Sequence, residues 1–419
     1  MWDTYYNLLF IAADIAVIMS TTDRASLNNY FMWQLVQAYM PYLSKQYREV
    51  SELYRKTLTG AQKPLERWEM CEITTERFFG HLLNVMFFRH LERDDAGAAR
   101  ERQPLAQKLF DYIKHNVAKS VSVSDGYDYA SRRAAMSKLK NMTVQVGTPR
   151  FLLDRQYLKL MYKDLLVQKS DFFQNIQYGV IFLRKREEFA LVSPGEESRW
   201  LGRLNDARVG YSPTGNKVIV PELWLRPPLF HPGYPNSVNL GGLGVALSEA
   251  VISGVVDLGL LFDARGVLRH PSANGSMFAE PLLSFERSSQ CLQGKYALLG
   301  VDTPDHLSKC RASSAVSVAA ARQTLLTLED MLEMEAGQVL PAMEASDPQS
   351  LFFLAHAQSL CAKRTFKRRD IDRTTSGSYH RDELLEEERL EGTLSQIPEF
   401  RHYFFCSGLS DSTQCGSIV

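Results

Sequence analysis

The chain has 419 residues, 45% of them hydrophobic, which is enough to bury a sizeable core in two or three structural lobes. Lysine and arginine together number 48, as do aspartate and glutamate, so the formal net charge is zero. With no long-range field of either sign, nucleic acids and anionic membranes are disfavoured as partners.

The longest apolar run near the start extends from Leu8 to Met19 and is interrupted by Asp14. A helix that spans a bilayer needs about 20 apolar residues, so this run is too short. The chain opens with Met1-Trp2-Asp3 and lacks the basic region that begins a signal peptide. We therefore expect no membrane span and no secretion signal within this chain.

Apolar residues recur every three or four positions after Trp33, which predicts one long amphipathic helix. They are Val36, Met40, Leu43, Tyr47, Val50 and Tyr54. Pro41 should kink this helix, because proline removes a hydrogen-bond donor and clashes with the preceding turn. Thr59-Gly60 should end it. Similar patterns over 72–90 and 101–118 predict two more helices, so we expect residues 1–120 to form a helical lobe.

The middle of the chain mixes helix and strand signals. Residues 119–150 are predicted to be a polar link that contains helix, and the pattern from Gln177 to Val192 is compatible with either a helix or a strand. Tyr211 to Val220 is a better strand candidate, because a Ser-Pro-Thr-Gly-Asn turn leads into a β-branched run. The acidic run from Glu383 to Glu388 is typical of a solvated helix face.

The segment from Leu243 to Leu258 is apolar nearly all round, which predicts a helix buried in the core. Glu249, Ser253 and Asp257 are spaced by four residues and would form one polar stripe along it. A calcium site on this stripe is disfavoured, because calcium takes six to eight oxygen ligands and the stripe offers two carboxylates and one hydroxyl.

Short motifs are spread along most of the chain, and each is weak alone. They are Asn28-Asn29-Tyr30 with Trp33, Arg67-Trp68 with Cys71, Tyr211-Ser212-Pro213-Thr214 with Asn216, Pro227-Pro228-Leu229-Phe230, Asp257 with Gly259, Leu351-Phe352-Phe353, and Gly392-Thr393-Leu394. Their order and spacing together resemble the neprilysin and endothelin-converting-enzyme family of zinc metallopeptidases.

The resemblance implies a zincin-like metallopeptidase fold, mainly α with a small β component (α+β). Residues 121–419 would be the metallopeptidase-like C-terminal domain, and 1–120 part of the family's second domain. The resemblance also implies that Tyr211 to Val220 is the edge strand against which the family binds the substrate backbone.

The segment that resembles the family's active-site helix has lost its zinc chemistry. In the family this helix carries two histidines spaced by four, which bind zinc, and a glutamate that activates the metal-bound water. Glu249 stands at the first histidine, Ala250 at the glutamate and Ser253 at the second histidine. The chain has nine histidines and no two are spaced by four. No shift of the alignment therefore restores the motif.

The remaining catalytic positions are also changed. The resemblance places Ser313 at the third zinc ligand, Ser317 at the aspartate that orients a ligand histidine, and Arg208 at the asparagine that holds substrate. Glu383 stands at the histidine that stabilises the tetrahedral intermediate, and only an arginine, Arg389, is retained. The resemblance thus implies a degenerate site without zinc, in which the retained Arg389 and the substituted Arg208 are the candidate binding residues.

An unpaired carboxylate at Glu249 would be costly in a dry site. Arg208 and Arg389 stand at cleft positions by the resemblance, and either guanidinium could pair with Glu249 and occupy the space of the zinc. The alternative is that Glu249 reaches solvent in an open cleft.

The six cysteines are read through the same resemblance, which implies a disulfide between Cys291 and Cys415. The counterparts of Cys71, Cys361 and Cys406 pair with cysteines in an N-terminal portion that this chain does not contain. We therefore expect an N-terminally truncated member, with six buried thiols in a cytosolic protein as the alternative. Two sequons, at Asn141 and Asn274, are candidate glycosylation sites if the chain is secreted.

Three interpretations of function remain. The first, which we favour, is an inactive neprilysin-like homologue, a pseudopeptidase without a metal cofactor that binds peptides or protein ectodomains. The second is a residually active zinc metalloendopeptidase, and the third is a truncated gene product without function. The resemblance implies an extracellular or cell-surface location.

Overall fold

The computed structural model describes residues 13–94, 96–192, 208–269, 279–298, 304–334, 339–341, 343, 346–374, 385–404, 415–416 and 418–419. Over these residues the protein is mainly helical with one small sheet, as the resemblance implies. Within the same ranges, every helix is too short or too polar to cross a membrane.

The helices are α1 (13–21), α2 (Arg24–Tyr39), α3 (Lys45–Thr59), α4 (Arg67–Asp94), α5 (Ala96–Val123), α6 (Tyr129–Asn141), α7 (Arg155–Met161), α8 (Phe172–Val192), α9 (Asn236–Asn239), α10 (Val245–Ser253), α11 (Asp257–Leu260), α12 (Ala279–Leu298), α13 (Pro304–Met334), α14 (Pro348–Ser359), α15 (Phe366–Thr374), α16 (Glu386–Ser395) and α17 (Pro398–Phe404). A π-helical turn, Leu240–Gly244, leads directly into α10. The strands are β1 (Thr143–Val146), β2 (Gly210–Ser212) and β3 (Lys217–Val220).

The predicted long N-terminal helix is wrong in one respect, because the chain breaks at Pro41 instead of kinking there. A 3-10 turn spans Met40–Tyr42, and Leu43 is extended before α3 begins. Proline cannot supply the hydrogen bond that would carry α2 onward, so two helices form. Gly60 ends α3 in the left-handed conformation, as predicted.

The sheet has the order β1-β3-β2. β1 pairs with β3 in parallel, with Thr143 opposite Lys217, and β2 pairs with β3 antiparallel, with Tyr211 opposite Val218. The prediction of a single edge strand over Tyr211 to Val220 is therefore wrong. The segment is a hairpin whose second strand is central, because β1 from the predicted link pairs with its other side. The ambiguous segment from Gln177 to Val192 is helical, within α8.

The main core lies where α5, α10, α13 and α14 meet. Its members include Leu109, Phe110 and Ile113 of α5, Leu247 and Val251 of α10, Ala320 and Leu328 of α13, and Phe352 and Phe353 of α14. α5 continues across the predicted boundary at residue 120, and its inner face belongs to this core. The division into 1–120 and 121–419 stays a prediction.

Cys291 of α12 forms a disulfide with Cys415, and their Cα atoms lie 5.7 Å apart. This is the pair that the resemblance implies, and it overturns the alternative of six free thiols. Cys71 and Cys361 are exposed and unpaired. Cys406 and the side chain of Cys310 lie outside the described residues.

Candidate active-site remnant

The site is built on α10 and on the π-helical turn that precedes it. α10 is buried along most of its length, including Leu247, Val251 and Ile252, as its apolar sequence predicts. Gly241 in the turn has no room for a side chain, because a Cβ there would clash with the backbone oxygen of Phe352. α14 therefore packs directly against the backbone that leads into α10.

The predicted polar stripe along this helix does not form. α10 ends at Ser253, whose hydroxyl donates a hydrogen bond to the backbone oxygen of Glu249 at 2.7 Å. Asp257 has a positive φ of 44° and begins a separate short helix, α11. The prediction fails because the helix ends four residues before Asp257.

Glu249 is held by Arg389, which reaches it from α16. Nη2 of Arg389 pairs with Oε1 of Glu249, and Nε of Arg389 donates to Oγ of Ser317 at 2.9 Å. Ser317, on α13, also hydrogen-bonds to Glu249. The side chains of Arg389 and Glu249 are 21% and 23% exposed, so the ion pair is largely shielded from water. Of the two predicted arginines, Arg389 supplies the guanidinium.

His356 of α14 completes the group, and its role was not predicted. The residue is 4% exposed, and its imidazole hydrogen-bonds to the backbone of Gly241. Its Nδ1 is buried without a hydrogen-bond partner. A single ionisable residue inside the apolar run of 351–357 is the signal that could have found it. We call Glu249, Ser317, His356 and Arg389 the Glu249 cluster.

Charge and burial set the protonation of this cluster. Burial raises the pKa of the Glu249 carboxyl, but the charge and hydrogen bond of Arg389 outweigh it, so the pKa lies below its usual value. Burial lowers the pKa of His356 to about 4. The positive charge of Arg389 also lowers this pKa, and the negative charge of Glu249 raises it. At neutral pH the cluster therefore contains one carboxylate, one guanidinium and a neutral imidazole.

The acidic run before Arg389 is not simply a solvated face, which corrects the prediction for Glu383 to Glu388. Glu386 pairs with Arg364, and Glu388 is 8% exposed and accepts a hydrogen bond from the backbone of Leu385. These contacts fix the first turn of α16. The Glu388 contact caps the helix, and the Glu386 contact ties its first turn to Arg364 in the loop between α14 and α15.

The other predicted site residues lie as follows. Ala250 is buried on α10, and Ser313 is half-buried on α13, one turn before Ser317. Arg208 is exposed, two residues before β2. Asn141, the last residue of α6, is exposed, whereas Glu383 and Asn274 lie outside the described residues.

The residues that the resemblance places at the family's zinc positions do not fit a zinc ion. A zinc site takes four ligands, most often imidazole nitrogens, thiolates or carboxylates that are free to coordinate. Here the one carboxylate, Glu249, already accepts from a guanidinium, which would repel a dication at the same place. Ser253 and Ser313 offer only hydroxyls. In the described part of the chain, no three His, Cys, Asp or Glu side chains are grouped as metal ligands.

A cavity of about 910 Å³ lies between the end of α5, α12, α13 and the C-terminal residues. Its lining includes Arg287, Arg322 and Glu329, together with Cys291 of the disulfide, and does not include the Glu249 cluster.

Two family models, both described as peptidase family M13, match residues 9–149 and 210–414. An endothelin-converting enzyme homolog of Locusta migratoria is 27% identical over 394 residues, which cover 92% of this chain and 51% of the relative. Endothelin-converting enzyme 1 of Rattus norvegicus is 25% identical over 395 residues, which cover 94% of this chain and 50% of the relative. The chain spans about half the length of these curated relatives.

Solved structures show the same fold. A zinc metalloprotease of Mycobacterium tuberculosis, in complex with an inhibitor, superposes with a TM-score of 0.76 at 20% identity, over 94% of this chain and 57% of that one. A Haemonchus galactose-containing glycoprotein complex superposes with a TM-score of 0.72 at 16% identity. The match covers 94% of this chain and 59% of that one. The matches of the two family models, which together span most of the sequence, show that the chain belongs to peptidase family M13.

Proposed function

We propose that this chain is an inactive M13 homologue, a pseudopeptidase that binds extended peptide or protein segments without cleaving them. The observation that supports the proposal is the Glu249 cluster, whose ion pair joins Glu249 and Arg389. The resemblance places these two residues at a zinc-ligand position and at a substrate-binding position of the family. Peptide hydrolysis of this type needs a metal-bound water and a general base. Ala250 stands at the position of the base and cannot accept a proton.

Binding is supported by the sheet beside the site. β2 pairs with β3 along one edge only, and within the described residues its other edge has no strand partner. An extended peptide can add to such an edge through backbone hydrogen bonds. A Cβ built on Gly210 would meet no atom within 4 Å, so one face of the sheet is open at the start of this strand.

Charge suggests which peptides would be preferred. Arg389 is paired with Glu249, so it adds little net charge to the site. Arg208 is exposed two residues before β2. By the resemblance it stands at the position of a neutral asparagine of the family. A guanidinium pairs well with carboxylates, so we expect extended peptides with acidic side chains to bind best.

An extracellular location is part of the proposal. The Cys291–Cys415 disulfide supports it, because disulfides persist in oxidising compartments such as the secretory pathway. The partners would then be peptides or the ectodomains of other proteins.

The test is a fluorescence-anisotropy screen of extended peptides, followed by mass spectrometry of the same samples. We expect acidic peptides to bind and to be recovered intact, and Arg208→Asn to weaken their binding about tenfold, or about 1.4 kcal/mol. Arg184→Asn is the matched control, because Arg184 is an exposed arginine on α8. Cleavage of the peptides, or equal binding by both variants, would refute the proposal.

A further inference from the structure

Lys138 of α6 is a buried cation beside β2. The residue is 2% exposed, and lysine is almost never buried to this extent without partners. Its Nζ donates hydrogen bonds to the backbone oxygens of Gly259 and Phe262, the second at 3.1 Å. Gly259 belongs to α11 and Phe262 follows that helix, so the ammonium ties α6 to α11 and to the chain beyond it.

The same ammonium lies over the ring of Tyr211, the middle residue of β2. Its Nζ is 5.3 Å from the ring centroid, which is within the range of a cation–π interaction. The ring also lies against the end of α10, because a Cβ added to Gly254 would be 3.2 Å from Cζ of Tyr211. Tyr211 therefore connects β2 both to Lys138 and to the helix that carries Glu249.

Asn216, in the turn between β2 and β3, completes this network. Its Oδ1 accepts a hydrogen bond from the hydroxyl of Tyr211 at 2.9 Å. Its Nδ2 donates to the backbone oxygens of Lys138 at 3.1 Å and of Ala264 at 3.3 Å. Asn216 has a positive φ of 46°, which asparagine adopts more readily than most residues. Lys138 thus holds β2 through its ammonium and the turn of β2 through its backbone oxygen.

β2 depends on such support because it is short. It has three residues, and within the described part of the chain it pairs with β3 alone. An apolar side chain could fill the space of Lys138, but it could not donate to two carbonyls or attract the Tyr211 ring as a cation. The charge of Lys138 therefore matters here as well as its volume.

Lys138 keeps this charge at neutral pH. Burial lowers its pKa to about 8. The positive charge of Arg269 also lowers this pKa, and the negative charge of Asp263 raises it. Between about pH 7 and 9 the ammonium changes from mostly charged to mostly neutral, in a range where ordinary lysines stay charged.

We propose that Lys138 is a positioning residue for the peptide-binding edge, because it holds Tyr211 and the turn at Asn216 and thereby fixes β2. A strand that is already in place when a peptide arrives spares the cost of ordering it on binding. The inference rests on the proposed peptide binding and adds a buried residue that supports it from outside the edge.

Hydrogen exchange followed by mass spectrometry tests this role without any peptide. Lys138→Met keeps a long apolar side chain and removes the charge. We expect the amides of residues 210–212 and 257–262 to exchange about tenfold faster in this variant at about pH 7, and those of α5 and α13 to be unchanged. Lys140→Met is the matched control, because Lys140 is exposed two residues further along α6; it should exchange like the wild type.

A pH profile of the wild type gives a second measurement, which does not depend on how the variant folds. Binding of an N-acetylated acidic peptide should weaken about fivefold from about pH 7 to 9 as Lys138 loses its proton, and Lys138→Met should bind weakly at both pH values. Asp263, Tyr211 and Arg269 also face Lys138 and keep their charge states in this range. A hydrogen bond from Val267 lowers the pKa of Asp263, burial raises the pKa of Tyr211, and arginine stays charged in proteins.

Wild-type exchange of β2 in Lys138→Met would overturn the proposal. Faster exchange throughout the chain would make Lys138 an ordinary core residue and overturn it too, as would a wild-type affinity that is the same at both pH values. Faster exchange of β2 in a chain whose wild type binds no peptide would refute the proposed function and still support the positioning of β2 by Lys138.

Discussion

Glu249 and Arg389 illustrate how a carboxylate and a guanidinium can share a site that water barely reaches. Each charge alone would lose hydration that the protein could not replace, and the pair recovers that loss through attraction and through the hydrogen bonds of Ser317. A partly buried ion pair contributes little net stability by this argument. Breaking it is costly, because one charge is left without a partner.

The pair can be tested with a double-mutant cycle. We expect Arg389→Met to lower the free energy of unfolding by about 2 kcal/mol, since it leaves the Glu249 carboxylate unpaired. Adding Glu249→Gln should recover part of that loss, with a coupling energy of about 1–2 kcal/mol. Urea unfolding of the four proteins gives these values.

Arg184 and Glu188 provide the control for this cycle. They form an ion pair on α8 in which the side chains are 79% and 62% exposed. The same cycle there should give a coupling energy below about 0.5 kcal/mol, because water screens both charges. Equal coupling at the two sites would show that the Glu249 cluster is an ordinary surface pair.

His356 should make the protein less stable in mild acid. Its pKa falls from an ordinary value of 6.5 to about 4 in the folded protein, so the unfolded chain binds one more proton between these values. The stability that neutral His356 provides is complete above pH 6.5 and is lost as the pH falls towards 4. Glu249, whose pKa is lowered, begins to lose its own contribution as the pH falls below its ordinary value of 4.5, so only the acid end of the window is shared.

The measurement is urea unfolding at several pH values between 4 and 7. The wild type should lose up to about 1.4 kcal/mol per pH unit within this window through His356, and His356→Leu should remove that slope. His402→Leu is the control, because His402 is exposed on α17. An unchanged slope in His356→Leu would assign the acid sensitivity to other groups.

At the scale of elements, sequence patterns correctly predicted features that are set by residues close together in the chain. The apolar run of α10 predicted a buried helix, and Gly60 predicted the end of α3. β1 was missed because its strand partner, β3, lies about seventy residues further along the chain. The end of α10 at Ser253 was missed because apolar residues continue beyond it.

The Glu249 cluster was predicted only in part for the same reason. The resemblance placed Arg389 and Arg208 as two candidate partners of Glu249, and the choice between them depends on how α16 packs against α13 and α10. His356 comes from α14, which meets the π-helical turn through the glycine contact at Gly241. No local pattern specifies that contact.

The disulfide should stabilise the C-terminal end of the fold against α12. It closes a loop between residues 124 positions apart, and constraining a loop of that length is worth about 4–5 kcal/mol in the chain-entropy model. We expect Cys291→Ser/Cys415→Ser to lower the free energy of unfolding by about 2–5 kcal/mol. Cys71→Ser/Cys361→Ser should change it by less than about 0.5 kcal/mol, because both thiols are exposed. Similar losses in both pairs would contradict this role.

At the scale of the whole molecule, the chain has the M13 fold, and the resemblance places Glu249, Ser253 and Ser313 at the family's metal positions. The fold depends on the core shared by α5, α10, α13 and α14, and the Glu249 cluster lies at its edge without interrupting it. The Glu249–Arg389 ion pair stands where the resemblance places a zinc ligand of the family.

The most direct test of this account measures zinc and peptide cleavage in one preparation of the purified chain, dialysed against zinc at a concentration of about 10 µM. We predict well below one zinc per chain by elemental analysis and no cleavage in a mixed peptide library. Glu249→His/Ser253→His should also fail to cleave, because Ala250 still provides no general base and Ser313 no third strong ligand. One zinc per wild-type chain, with a cleavage activity that is lost when the zinc is removed, would contradict the account.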